Sequence, residues 1–337
     1  MTRSLFRGQR FQLRRSAHPS LAWQEGKKIL AWNHGFLLFL LLCGALVLCN
    51  QGTAPGGELE LYYQGYSQVL SGPLSDEKRA FLSQESQRMQ ETARQAEQYQ
   101  ALYDAGELSA EALAYCLDSL EISDAQQVAL EQATHQYETL ERLQATGIPV
   151  QYIYETGWSQ LFGAKGQRQD LINSLLLSIF FMLAIGTSRC KEFHTGMWSL
   201  ARTTQNGSRS GWIQLLLCAL LGGLATLTAF LLHLGLLGIS LPGWNSVEYS
   251  VQSITALGGQ AGLSCSILGY LLLQSLCRMT GGALAAALIW FIASGLKRIE
   301  TTLLLSGILL LGPGVPALLG GWNAGPLLSI MSGAALL

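Results

Sequence analysis

The sequence predicts an all-α polytopic membrane protein with five transmembrane helices and a helical extracytoplasmic insert between the first two. Three observations carry that expectation. Of 337 residues, 49% are hydrophobic and only 13% charged, about half the charged share of an average soluble protein. The hydrophobic residues gather in uninterrupted blocks of about twenty, the length a helix needs to cross ~30 Å of hydrocarbon. The remaining charge is polarised: residues 1–28 hold seven Lys and Arg against the single acid Glu25, whereas 51–168 hold seventeen acids against seven bases.

The leader, residues 1–28, interleaves Arg3, Arg7, Arg10, Arg14, Arg15, Lys27 and Lys28 with Leu5, Phe6, Phe11, Leu13 and Trp23, the pattern of an amphipathic helix lying on a membrane surface. The block Ile29–Cys49 that comes next is long enough to span. A secretory signal has a shorter basic region and a small-residue cleavage site, so residues 29–49 are expected to remain as an uncleaved first span with the N-terminus in the cytoplasm.

Residues 50–168 change character, being rich in Gln, Glu, Ala, Tyr and Ser. Ser75 before Asp76 and Glu77 is a helix cap with acids in the first turn, opening a helix to about Tyr103. Ser109 and Glu111 open a short second helix, and Ser123-Asp124 a third reaching about Ala145. Phe81, Leu82, Met89, Val128, Leu130, Tyr137, Leu140 and Leu143 form narrow stripes, which suit two long helices packed as an antiparallel hairpin. The stretch Val150–Phe162 has strand-like β-branched and aromatic content, and its Tyr152, Tyr154, Trp158 and Phe162 suit an interfacial aromatic belt.

The transmembrane domain, 169–337, continues with spans at Leu171–Thr187, Gly211 to about Gly238, Met279–Leu296 and Thr301–Gly320, with Ile267–Cys277 lying on the outer surface before the fourth. Pro326–Leu337 is apolar but too short to cross, reading as a sixth span cut short or as a re-entrant hairpin. Loop 188–210 carries Arg189, Lys191, Arg202 and Arg209 and loop 297–300 carries Lys297 and Arg298, while 239–264 carries neither Lys nor Arg. Short basic loops stay cytoplasmic, which places 50–168 and 239–264 outside.

Enzyme signatures do not emerge. The chain holds no GxxxxGK[ST], HExxH, GxSxG or GxGxxG, and its seven cysteines make no CxxC or metal-like spacing, so neither catalysis nor a bound metal is expected, and no nucleic-acid partner. His233, inside the third span, reads as an interhelical hydrogen bonder. Arg278 is the one charge embedded in an apolar run; it reads either as a functional residue or, more simply, as a side chain snorkelling to phosphate headgroups. No polar cluster within the spans specifies a cargo.

The loop after the second span is the most informative stretch. Read as one helix at about 190–205, it places Phe193, Met197 and Leu200 on one face, joined by Trp198. Such a helix either rests on the bilayer surface or docks its apolar stripe into a groove on a soluble partner.

The order Glu192, Gly196-Met197, Leu200, Thr203-Thr204, Gly207 and Arg209 directly before a long span resembles the coupling-helix segment of ABC-2 type transporter permeases. The basic leader, the insert between the first two spans and the outer surface helix resemble the Gram-positive members that carry a large insert. The basic residue often found early in the next span is replaced by Trp212 and Gln214. The resemblance implies a permease subunit, itself free of cofactor, that works as a homo- or heterodimer among membrane lipids. ATP and Mg²⁺ belong to a separate ABC ATPase subunit. It also implies ATPase-coupling roles for Glu192, Phe193, Gly196, Met197, Trp198, Leu200 and Arg202, with Phe193, Met197, Trp198 and Leu200 as anchors buried in the partner, Glu192 and Arg202 as polar clamps, and Glu192 near the helix start. Dimer faces are expected in spans one, two and four, where Gly281, Gly282, Ala283, Ala285 and Ala286 permit close approach. A lipid, peptide or drug-like cargo is the default for such apolar spans. The competing expectations are a mechanotransmitting FtsX- or MacB-like permease, and a membrane sensor with a helical outer domain.

Overall fold

The computed structural model describes residues 21–29, 34–50, 57–120, 124–203, 207–240, 246–257, 265–320 and 325–333. Most of the basic leader, the Ser123 cap, Thr204 and the last four residues lie outside the described residues. The described residues open with α1 (Leu21–Lys27) and the apolar α2 (Gly35–Asn50). The membrane-type helices are α8 (Ala164–Phe181), which runs through a π-helical stretch, Met182–Gly186, into α9 (Thr187–His194); α11 (Gly207–Ser240); α12 (Ile267–Leu296); and α13 (Ile299–Gly320).

Four of these units are long and apolar enough to cross a membrane: Ala164–His194, Arg209–Ile239, Ile267–Leu296 and Ile299–Leu319. The last three are apolar around most of their circumference, whereas the first turns Asp170, Asn173, Ser174, Ser178 and Arg189 inward. On α11, Leu216, Leu220, Leu224 and Leu231 stay exposed, a bare stripe that acyl chains cover. The chain is thus an all-α, multi-pass membrane protein. Among the described residues the long apolar helices number four; α2, which falls within the first span expected at 29–49, has 16 described residues, ~24 Å at 1.5 Å per residue. The surface helix expected at 267–277 is corrected. It is continuous with the adjoining span in one 30-residue helix, because no proline interrupts 267–296 and Ser266 Oγ caps its start by accepting from the Gly269 amide at 3.1 Å.

Helices α11 and α12 form the closest pair. A Cβ added to Gly222 would lie 2.4 Å from the Gly282 carbonyl oxygen, and one on Gly282 would lie 2.0 Å from Thr226 Oγ1, so two glycines set the approach. Gly281 packs likewise against Ile330 and Met331 of α14 (Pro326–Ser332), a seven-residue helix. Ala285 and Ala286 are fully buried. The small-residue face expected at a dimer interface is therefore filled by the chain's own helices.

The insert comprises α3 (Glu58–Leu70), α4 (Asp76–Asp104), α5 (Ala110–Ser119) and α6 (Asp124–Ala145). The caps behave as the sequence predicts, with Ser75 Oγ accepting from the Lys78 amide and Ser109 Oγ from the Ala112 amide. The pairing differs: α6 lies chiefly along α3, an element the Tyr-rich sequence did not reveal. Tyr63, Tyr66 and Leu70 of α3 bury against Ala129, Leu130, Ala133, Tyr137 and Leu140 of α6. The Tyr63 hydroxyl donates to Gln136 Oε1 at 2.6 Å.

The stem that returns the insert to the spans is extended only briefly. Tyr152 bridges Gly72 through paired backbone hydrogen bonds of 2.8 and 2.9 Å, and then α7 (Thr156–Phe162) begins. Tyr152, Trp158 and Phe162 are buried, which replaces the aromatic belt with a packed seam. Phe162 meets Tyr270 edge-on at 5.3 Å, Ser253 Oγ accepts from the Gln151 amide at 3.0 Å, and Glu155 accepts from Thr255 Oγ1 at 2.6 Å and the Ala256 amide at 2.7 Å. Burial pushes the Glu155 carboxyl above its usual range.

Candidate functional site

Two polar clusters sit within the bundle, at opposite ends of the spans. The first lies beneath the loop after the first long span. The π-helical stretch inserts one residue into a turn and so rotates α9 relative to α8 by about 100°, bringing Arg189 of α9 inward, where it is only 2% exposed. Its Nε donates to Ser294 Oγ at 3.0 Å, and its NH1 donates to Glu192 Oε2 at 2.7 Å and to Gln214 Oε1 at 2.6 Å. The guanidinium carbon lies 4.2 Å from the ring centroid of Trp198, 4.8 Å from Trp290 and 4.9 Å from Phe193. A buried arginine is tolerated when donors are matched and its faces stacked; here Nε and NH1 are bonded and three rings flank the guanidinium.

Glu192 closes the network. It accepts from Gln214 Nε2 at 3.0 Å, and Lys28 Nζ lies 3.8 Å away while also pairing with Glu25 at 2.9 Å. Ser210 Oγ donates to Glu25 at 3.0 Å. Residues before the first apolar helix are thereby tied to α9, α11 and α12 at one point.

The predicted coupling helix is divided. α9 ends at His194, and α10 (Met197–Thr203) starts after Gly196, whose φ of 71 suits glycine. The Gly196 amide donates to the Phe193 carbonyl and the Thr195 amide to Lys191, a left-handed helix ending. The break splits the anticipated face. Phe193 and Trp198 turn inward, 5.4 Å apart over Arg189, whereas Met197 is 41% and Leu200 68% exposed. Glu192 stands near the end of α9, not at a helix start, and its carboxylate is engaged inside the chain. Arg202 falls within α10, but its side chain lies outside the described residues.

Sequence reasoning missed Arg189 as more than a loop charge, and treated Gln214 as a departure from a pattern when it partners both Arg189 and Glu192. The available signal was the i, i+3 spacing of Arg189 and Glu192, which places them on one helical face.

The second cluster lies toward the insert. Arg278, 4% exposed in mid-helix, donates from NH1 and NH2 to the two oxygens of Asp170 at 2.8 and 2.5 Å, and its carbon lies 4.3 Å from the Phe230 ring. His233 Nδ1 is 3.4 Å from Asp170 Oδ1. Snorkelling of Arg278 is thus corrected: the side chain points into the bundle, where a planar guanidinium meets a planar carboxylate. The absence of a polar cluster in the spans is corrected with it. Asn50 Nδ2 donates to Asn173 Oδ1 at 3.2 Å nearby on α8, tying α2 to the same helix.

Compared with family models, curated proteins and solved structures, the chain matches none of them. The class of protein defined here is therefore that of the fold itself, a multi-pass helical membrane protein with a helical insert.

Proposed function

We propose that the chain is the permease subunit of an ABC-2 type transporter, driven by ATP hydrolysed with Mg²⁺ in a separate subunit. One observation supports this reading above the others: a short helix, α10, presents Met197 and Leu200 outward while Trp198 is held on the buried Arg189. An apolar pair on a pinned helix is what a groove on a partner can grip. A displacement of α10 passes through Trp198 and Arg189 to α9, α11 and α12 together, since Arg189 bonds to all three. On this reading the loop 188–210 faces the cytoplasm and the insert lies outside. The subunit acts as a dimer, and its cargo is a lipid, peptide or drug-like molecule.

A second reading is favoured by the stem. Gln151 and Glu155 bond to Ser253, Thr255 and Ala256, which links the insert to the α11–α12 connection. Motion of the spans would move the insert, as in mechanotransmission.

The test is co-purification from the native host. The tagged chain should recover a soluble protein bearing a Walker A motif, and Met197→Asp/Leu200→Asp should lose it while inserting and unfolding as wild type does. Undiminished recovery by that variant would reject the coupling role of α10.

A further inference from the structure

A cavity of about 370 Å³ opens between the first turns of α8 and the last turns of α11, lined by Gln160, Lys165, Arg168, Gln169, Ile172, His233 and Leu237. Its chemistry is graded. Lys165 and Arg168 are exposed at the rim, and among the described residues neither has a carboxylate within ion-pairing distance. The imidazole of His233, 2% exposed, forms part of the wall. Gln160 Oε1 is buried without a hydrogen-bond partner among the described residues, so its amide can turn its nitrogen to a ligand without breaking a bond. Ile172 and Leu237 are the apolar part.

The charge does not cancel. Asp170, beside His233, is already neutralised by its two hydrogen bonds from Arg278, leaving the cavity the two rim cations. Depth agrees: His233 lies six residues from Ile239, the end of its span, ~9 Å along the axis, with the rim cations within the first five residues of theirs. Cations there reach the plane of phosphate headgroups.

We propose that this cavity binds the phosphate of a phospholipid headgroup, with Lys165 and Arg168 as its charge-assisted donors, Gln160 and His233 as polar walls, and Ile172 and Leu237 against the glycerol and first acyl carbons. The shared chemistry is a phosphate ester, which could also be met by free inorganic phosphate; the apolar floor favours the lipid. The site needs only that the chain lie in a bilayer, and stands apart from the permease reading.

The experiment uses the full chain, delipidated in detergent, and reads binding by native mass spectrometry and thermal shift. Dioleoyl phosphatidic acid should bind, and dioleoylglycerol, with the same tails and no phosphate, should not. Lys165→Gln/Arg168→Gln should weaken binding at least tenfold. Ile172→Trp, which fills the cavity and changes no charge, should weaken it as well. Each variant must elute and unfold as wild type does without lipid, which the rim position of the two cations favours. Equal binding by the charge variant overturns the site. Full binding by Ile172→Trp reduces it to diffuse surface charge and overturns it too. Inorganic phosphate binding as tightly as phosphatidic acid, and displacing it, overturns the lipid as occupant.

Discussion

Arg278 and Asp170, 108 residues apart, meet in a two-point pair that joins the third and first long spans inside the bundle. Neither residue can be removed alone without leaving the other buried and unmatched.

Arg278→Gln should therefore cost about 3–5 kcal/mol, the range for breaking a buried pair from one side. The double variant Arg278→Gln/Asp170→Asn should recover a good part of that loss. Thermal unfolding in detergent, followed by size exclusion, checks both. A single variant as stable as wild type would show that the pair does not hold the spans together.

Arg189→Lys keeps the charge but loses the planar fork that reaches Ser294, Glu192 and Gln214 and stacks on three rings. Loss of stacking alone is worth about 2 kcal/mol in a desolvated setting. Freed from its anchor, α10 should become cleavable. Limited proteolysis should show a new cut between Thr195 and Thr203 while the spans remain protected.

Gly282→Ala places a methyl against Thr226 and the Gly222 carbonyl. Overpacking of this kind costs about 1–3 kcal/mol, and Gly222→Ala should behave alike. Gly295→Ala, on the same helix with open space around it, serves as the control and should leave the melting temperature unchanged or raise it.

The insert should weaken in alkali. Burial pushes the Tyr152 hydroxyl up to about 12, against ~10 in the unfolded chain, and pushes that of Tyr63 up as well. The folded state then holds protons the unfolded state releases, so this contribution is complete below pH ~10 and is lost as pH rises toward 12. Melting temperature measured across that window should fall, and fall less in Tyr152→Phe.

Much of the local structure was legible. The Ser75 and Ser109 caps opened helices where serine followed by acids announced them, because capping is settled within four residues. Helix α3 escaped notice although Leu59, Tyr63, Tyr66 and Leu70 keep a helical spacing, because no side-chain cap announces its start at Gly57 and its burial depends on α6. The loop after the first long span was legible as helical and apolar but not as broken, since one glycine at φ 71 decides between one helix and two. Arg278 read as a headgroup anchor for as long as Asp170 stood at a span boundary with no known neighbour.

What the sequence by itself determined is the class: runs of apolar residues long enough for a bilayer, the caps, and a polar insert distinct from them. Hydrophobic length and capping act over a few turns of one chain segment, and composition suffices to state them. Which side of Phe193, Trp198 and Arg189 faces inward, and that Asp170, His233 and Arg278 converge, only the tertiary structure decided. Those facts arise from how helices rotate and approach, set by the π-helical stretch at Met182–Gly186 and by the contact of Gly222 with Gly282. A helix's rotation about its axis is fixed by its neighbours and not by its own sequence.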